Sequence, residues 1–167
     1  MANLILWRHA NAEELSFGGK DIDRPLTKSG RKDAAKMAKW LNEYLPANTE
    51  VLCSPAKRCI ETAASLNDVS NQKNSRGNPY ELKITDFLSV DSSAEIILKK
   101  ITNDDSSKTM LLIGHQPNLG MVISKLLGMN ESACVVKKGA VWWLRQRFTN
   151  GASQTYLFTV RHPRLPT

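Results

Sequence analysis

Two histidines and two arginines hold the chemistry this chain could perform. Arg8 and His9 follow the apolar run Leu4, Ile5, Leu6, Trp7, while Arg58 follows Val51, Leu52 and Cys53 at a short distance. His115 follows the apolar stretch Thr109 to Ile113, after Gly114. A guanidinium is a permanently charged, planar fork that matches the oxygens of a phosphate. An imidazole is substantially neutral near pH 7 and can attack phosphorus covalently. Together the four side chains suit a dianionic phosphoryl group, provided the fold brings them to one place.

The elements that must position them read clearly. Leu4 to Trp7 is a short buried strand, Val51 to Cys53 a second, and Thr109 to Ile113 a third. Thr27 reads as the cap of a helix running to about Leu45, with Ala34, Met37, Ala38, Leu41 and Leu45 on one face and Pro46 as its stop. Ser54-Pro55 reads as a cap and first helical residue, which puts Arg58 one turn into the next helix. Ala94, Ile97, Leu98 and Ile101 form a small amphipathic helix. Leu119, Val122, Ile123, Leu126 and Leu127 share a face of a further helix, which Gly128 ends. Leu82 to Ile84 is a short strand. Val141 to Arg145 and Thr155 to Val160 make a C-terminal hairpin, with Asn150-Gly151 as the turn signal. Alternating strands and helices imply a three-layer α/β/α fold, its sheet mostly parallel with that antiparallel hairpin at one side. Ligands of such sheets bind at the carboxyl ends of the strands, where Arg8-His9, Arg58 and His115 fall. The polar loop NAEELSFGGKDIDRPL after His9–Ala10 is placed to act as a lid or specificity element.

The bulk properties set the class. The 167 residues are enough for one domain, taken here as 1–167, and 41% hydrophobic with 23% charged residues is ordinary for a soluble protein. No apolar run is long enough to span a bilayer, and the opening LILW lacks the features of a signal peptide, so a cytoplasmic location is expected and no membrane partner. Cys53, Cys59 and Cys134 form no C-x-x-C pair and read as reduced, packed thiols. The net charge of +7 is scattered along the chain and fits an acidic substrate, whereas no nucleic-acid-binding signature accompanies it.

Other chemistries fit less well. Cys53 and Arg58 are separated by four residues, one fewer than a cysteine phosphatase needs to wrap its phosphate loop. A metal hydrolase needs clustered ligands. The chain has three histidines, His9, His115 and His162, and Asp21 and Asp23 read as solvated loop residues. A module that binds phosphoproteins without turning them over, and a basic nucleic-acid binder, are the non-enzymatic alternatives.

The segments LILWRHANA (4–12), DRPLTKSGRKDA (23–34), VLCSPAKRCIETA (51–63) and MLLIGHQPNLG (110–120) resemble, in order and spacing, the histidine phosphatase (phosphoglycerate mutase-like) superfamily. The short chain is most similar to its SixA-type phosphohistidine phosphatases. The resemblance implies His9 as nucleophile, Arg8 and Arg58 on the phosphoryl oxygens, and a protonated His115 stabilising the transition state. It further implies Arg24 at the pocket rim and Asp86 as the nearest counterpart of the general acid of larger relatives. No metal or other cofactor is implied, and the expected partner is a phosphohistidine-bearing protein, with small-molecule phosphomonoesters as the alternative substrate. The family's usual glycine after the first histidine is Ala10 here, and Cys59 replaces a common alanine.

Overall fold

The computed structural model describes residues 3–46, 48–68, 79–102, 108–129, 134–149 and 152–165. Its frame follows from alternation along the strands, since successive side chains of a strand point to opposite faces. In strand β1 (Asn3–Arg8), Ile5 and Trp7 face one way and Leu4 and Leu6 the other, and all four are buried. A strand apolar on both faces needs cover on both sides.

That cover is the two helical layers. Helix α1 (Lys28–Tyr44) and helix α2 (Lys57–Ala64) lie over Ile5 and Trp7, with Met37, Ala38, Leu41, Cys59 and Ala63 in the same apolar cluster. Helix α3 (Ala94–Thr102) and helix α4 (Asn118–Leu126) cover Leu4 and Leu6 through Ile97, Ile101, Leu119, Val122 and Ile123. Each large aliphatic side chain so buried contributes about 1.5–3 kcal/mol. The expected cap holds at α1, where the Thr27 hydroxyl accepts the Gly30 N–H at 2.9 Å. At the end of α4, Gly128 takes a left-handed φ of +67°, as a residue just past a helix should.

The remaining strands are β2 (Thr49–Cys53), β3 (Leu82–Ile84), β4 (Thr109–Gly114), β5 (Val141–Thr149) and β6 (Ala152–Arg161). They form one sheet in the order β3-β2-β4-β1-β5-β6. The first four are parallel, and β5 and β6 are antiparallel to their neighbours. The three-layer α/β/α arrangement is therefore present as the sequence implies. The hairpin strands are longer than their apolar cores suggest, and the turn assigned to Asn150-Gly151 lies outside the described residues, as does most of the 67–80 loop. No described helix is long and apolar enough to cross a membrane.

The sequence reading of Ser54-Pro55 as a helix start needs correction. Helix α2 begins two residues later, at Lys57, with Ala56 in the cap position and no side-chain cap. Arg58 is thus in the first turn rather than one turn in, at the very end of the helix that faces the sheet edge.

Candidate active site

The carboxyl ends of β1, β4 and β2 are adjacent in the sheet, so the residues that follow them meet. Arg8, His9, Arg24, Arg58 and His115 line one crevice of about 300 Å³, together with Asp21, Gln116 and Lys138. The histidine rings lie 5.2 Å apart between centroids. His9, Arg58 and His115 are all buried although they are polar.

His9 is held by its own backbone turn. Its Nδ1 lies 2.8 Å from the Ala10 carbonyl oxygen. A carbonyl only accepts, so Nδ1 carries the proton and Nε2 keeps its lone pair. Burial lowers the ring's pKa to about 3, against a smaller upward pull from the Ala10 carbonyl, and the nearby His115, Arg58 and Arg8 push it the same way as burial. The ring is therefore neutral across the physiological range. Ala10 fits without difficulty. Its N–H donates to Thr62 Oγ1 at 3.1 Å and its methyl is fully buried in the cluster beneath α1 and α2.

His115 is gripped from behind. Ser54 Oγ lies 2.8 Å from its Nε2, and the Cys59 thiol lies 3.5 Å from the same atom. Ser54 therefore holds His115 while its Oγ also accepts the Ala56 N–H at 3.3 Å, just ahead of helix α2. Burial, then the charge on Arg58, lowers the His115 pKa to about 4, with Asp21 pulling modestly the other way. In the free site this ring, buried among guanidiniums, is held in its neutral form, which can offer a phosphoryl oxygen an N–H.

The arginines are only partly satisfied by the protein. Arg8 donates from Nη1 to the Val136 carbonyl at 2.8 Å, and Arg58 donates to the Asp21 carbonyl at 2.8 Å and its Oδ2 at 3.0 Å. Among the described residues, Nε of both arginines is buried without a hydrogen-bond partner. Buried donors of this kind are costly unless a ligand meets them. The segment before β5 fixes Arg8 and His9 in register, because the Gly139 N–H donates to both of their carbonyls, at 3.2 and 3.1 Å.

The structure brings five of the six residues singled out from the sequence to the crevice and leaves one away. Arg24 is at the rim, donating to Asp21 Oδ1 at 2.8 Å and to the Glu13 carbonyl at 2.9 Å. Asp86 is exposed at the start of a single 3₁₀ turn, Asp86–Leu88, and does not line the crevice. The turn's apolar members, buried Leu88 and half-buried Phe87, pack on the core and leave Asp86 outward.

Sequence reasoning missed Asp21, taken there as solvated. One carboxylate oxygen binds Arg24 and the other Arg58, so it bridges two cations of the site. Burial pushes this carboxyl up, but the hydrogen bond and charge of Arg58, then those of Arg24, outweigh it and hold the group below its ordinary value. The Asp21–Arg24 spacing of three residues was a visible signal. Ser54, Gln116 and Lys138 gave none of comparable strength. Cys53 is a strand residue whose buried thiol has a raised pKa, which removes the thiolate that a cysteine phosphatase requires. Among the described residues no three His, Cys, Asp or Glu side chains are grouped as a metal-binding set.

A sequence profile of the histidine phosphatase superfamily (branch 1) matches residues 4–76, which include His9, Arg8, Arg24 and Arg58. The SixA homolog of Haemophilus influenzae, described as a phosphohistidine phosphatase, is 26% identical over 133 residues, 75% of this chain and 77% of that protein. Residues 4–76 of the chain thus carry the sequence pattern of the histidine phosphatase superfamily (branch 1). An uncharacterized chloroplastic protein of Arabidopsis thaliana is 33% identical over 130 residues, 75% of this chain. The matched part spans only 59% of that relative's length. The structure of the protein histidine phosphatase SixA complexed with tungstate superposes with a TM-score of 0.74, covering 96% of this chain and 97% of that one. At 20% identity that likeness is one of fold. The chain thus shares the fold of that SixA structure.

Proposed function

We propose that this protein is a histidine phosphatase superfamily member, a phosphatase that works through a phosphoryl group carried on His9, and that its substrate is a protein phosphohistidine. The observation that carries the reading is the fixed tautomer of His9. Its Nδ1 proton is spent on the Ala10 carbonyl, so the nucleophilic Nε2 stands in a crevice lined by three guanidiniums.

In the first step Nε2 attacks phosphorus in line, a new N–P bond forms and the bond to the leaving group breaks, its electron pair departing with the leaving atom. The spare donors of Arg8 and Arg58 and an N–H of His115 meet the charge on the equatorial oxygens, where fixed donors are most effective. In the second step water attacks phosphorus, the Nε2–P bond breaks and the imidazole recovers its lone pair. Electrostatics and positioning supply the acceleration, and no metal is needed.

Phosphohistidine is favoured because, among the described residues, the one carboxyl lining the crevice, Asp21, is held ionised by Arg58 and Arg24 and so is no proton donor for an alkoxide. An ester oxygen must be protonated as it leaves. An imidazole, whose conjugate acid has a pKa of about 6.5, leaves without that help. The reading includes a cytoplasmic, single-domain protein acting on phosphoprotein surfaces. The test is kcat/KM on a phosphohistidine protein, 4-nitrophenyl phosphate, phosphoserine and a sugar phosphate, each with and without EDTA. The expected order is phosphohistidine first, the aryl ester weaker and the alkyl phosphates least, all insensitive to EDTA. Faster turnover of a sugar phosphate, or loss of activity restored by Zn²⁺ or Mn²⁺, would contradict it.

A further inference from the structure

Asp21 sits where the site changes the sign of its charge. On one side is the crevice, whose lining carries Arg8, Arg24, Arg58 and Lys138, with Asp21 as the one carboxylate among the described residues there. On the other is a second pocket of about 340 Å³, whose lining includes Ile22, Pro55, Ala56, Val90 and Asp91, and no lysine or arginine. Asp21 and Val90 border both.

The sheet order tells which side of the phosphorus this pocket lies on. His9 follows β1, His115 follows β4 next to it, Ser54 and Pro55 follow β2 beyond that, and Val90 and Asp91 come after β3 at the edge. The pocket is therefore across the crevice from the nucleophile, with His115 between. In-line displacement sends the leaving group away from the attacking atom, toward that side. The other neighbouring groove, lined by Asn11, Glu13, Leu15 and Thr27, is on His9's own side.

We propose that Asp21 is a specificity-determining residue that selects leaving groups departing from a protonated nitrogen base. This rests on the phosphatase reading given above. Ile22, Pro55, Ala56 and Val90 offer an apolar wall for a flat ring, and the Asp21 carboxylate accepts the N–H of the ring nitrogen not bonded to phosphorus. Atoms and charge balance without a general acid. The substrate imidazole enters with that second nitrogen protonated, Nε2 of His9 forms its bond to phosphorus, the P–N bond breaks, and neutral imidazole departs still holding its proton. A carboxylate stabilises the cationic ring that makes this departure easy, and it repels an alkoxide or phenolate leaving with negative charge. Arg58 and Arg24 keep Asp21 ionised for this purpose, which suits an acceptor and disqualifies it as a proton donor.

The experiment compares a small N–P substrate that carries the ring, N-phosphoimidazole, with a small O–P substrate, 4-nitrophenyl phosphate, for wild type, Asp21→Asn and Asp21→Glu. The ratio of kcat/KM for N–P over O–P should fall about tenfold in Asp21→Asn and return to within about threefold of wild type in Asp21→Glu. Loss of the Arg58 partner affects both substrates alike and cancels in the ratio. An equal fall on both would make Asp21 a clamp for Arg58 only, and a larger fall on the ester would make it a general acid. Either result overturns the proposal while leaving the phosphatase reading intact. A wild-type protein inert on both substrates would overturn that reading, and this proposal with it.

Discussion

The parallel half of the sheet and the C-terminal hairpin both carry arginines against aromatic or imidazole rings, yet they use them in opposite ways. In the hairpin, Arg145 is completed by the protein itself. Its Nε donates to Asn3 Oδ1 at 3.1 Å, and its guanidinium lies 3.4 Å from the centroid of Phe158 and 5.6 Å from that of Trp143. Such stacking satisfies the cation and stabilises the sheet edge, by about 0.5–2 kcal/mol. At the end of β1 and in the first turn of α2 beyond β2, Arg8 and Arg58 keep a buried Nε donor unmet among the described residues. A basic residue in mid-strand has neighbours on both sides to pair with. One at a strand end, or in the first turn of the helix beyond it, faces an open crevice, where the sheet supplies none. The difference teaches that net charge marks no site; unfinished coordination does.

Conservative exchange of these arginines breaks the comparison most sharply. Arg8→Lys and Arg58→Lys replace a fork by a point charge. Each should lower kcat/KM on any phosphorylated substrate by roughly 30- to 1000-fold, equivalent to about 2–4 kcal/mol of transition-state stabilisation. Arg145→Lys should leave turnover within about twofold and lower only the urea midpoint. Equal effects on turnover from Arg58 and Arg145 would remove the distinction.

A smaller effect follows from the neutral rings that the crevice buries beside its cations. His9 and His115 have pKa values of about 3 and about 4 in the folded protein, whereas in the unfolded chain each takes a proton below about 6.5. Unfolding therefore takes up protons in this range. Stability from these rings is fully present above pH 6.5 and is lost as pH falls toward 4. The urea midpoint should drop between pH 7 and pH 5, and His115→Asn should flatten that dependence. An unchanged slope in His115→Asn would mean that this ring is already exchanging protons with solvent near its ordinary value.

Much of this was legible in the sequence, for physical reasons that also explain the misses. The strands that hold Arg8, His9 and His115 are buried on both faces, so they appear as continuous apolar runs. Helix α1 was legible down to its cap because Thr27 and its apolar face at helical spacing agree. Ser54 misled because the same residue type caps helices and holds histidines, and only the fold shows His115 at 2.8 Å. Asp21 was read as solvent-facing since its acceptor role depends on Arg58, which is remote in sequence and adjacent in space. Asp86 was proposed by position along the chain, but one turn of 3₁₀ helix packing on Leu88 decides where it faces.

The covalent role of His9 is the central claim, and trapping the intermediate tests it most directly. Wild-type protein mixed with a radiolabelled phosphoryl donor and quenched within one turnover should yield a phosphoprotein that is stable in base and labile in acid. Peptide mapping should place the label on His9, and His9→Ala should remain folded, form no adduct and lose turnover almost completely. A stoichiometric label on another residue, or substantial turnover in His9→Ala, would contradict the account.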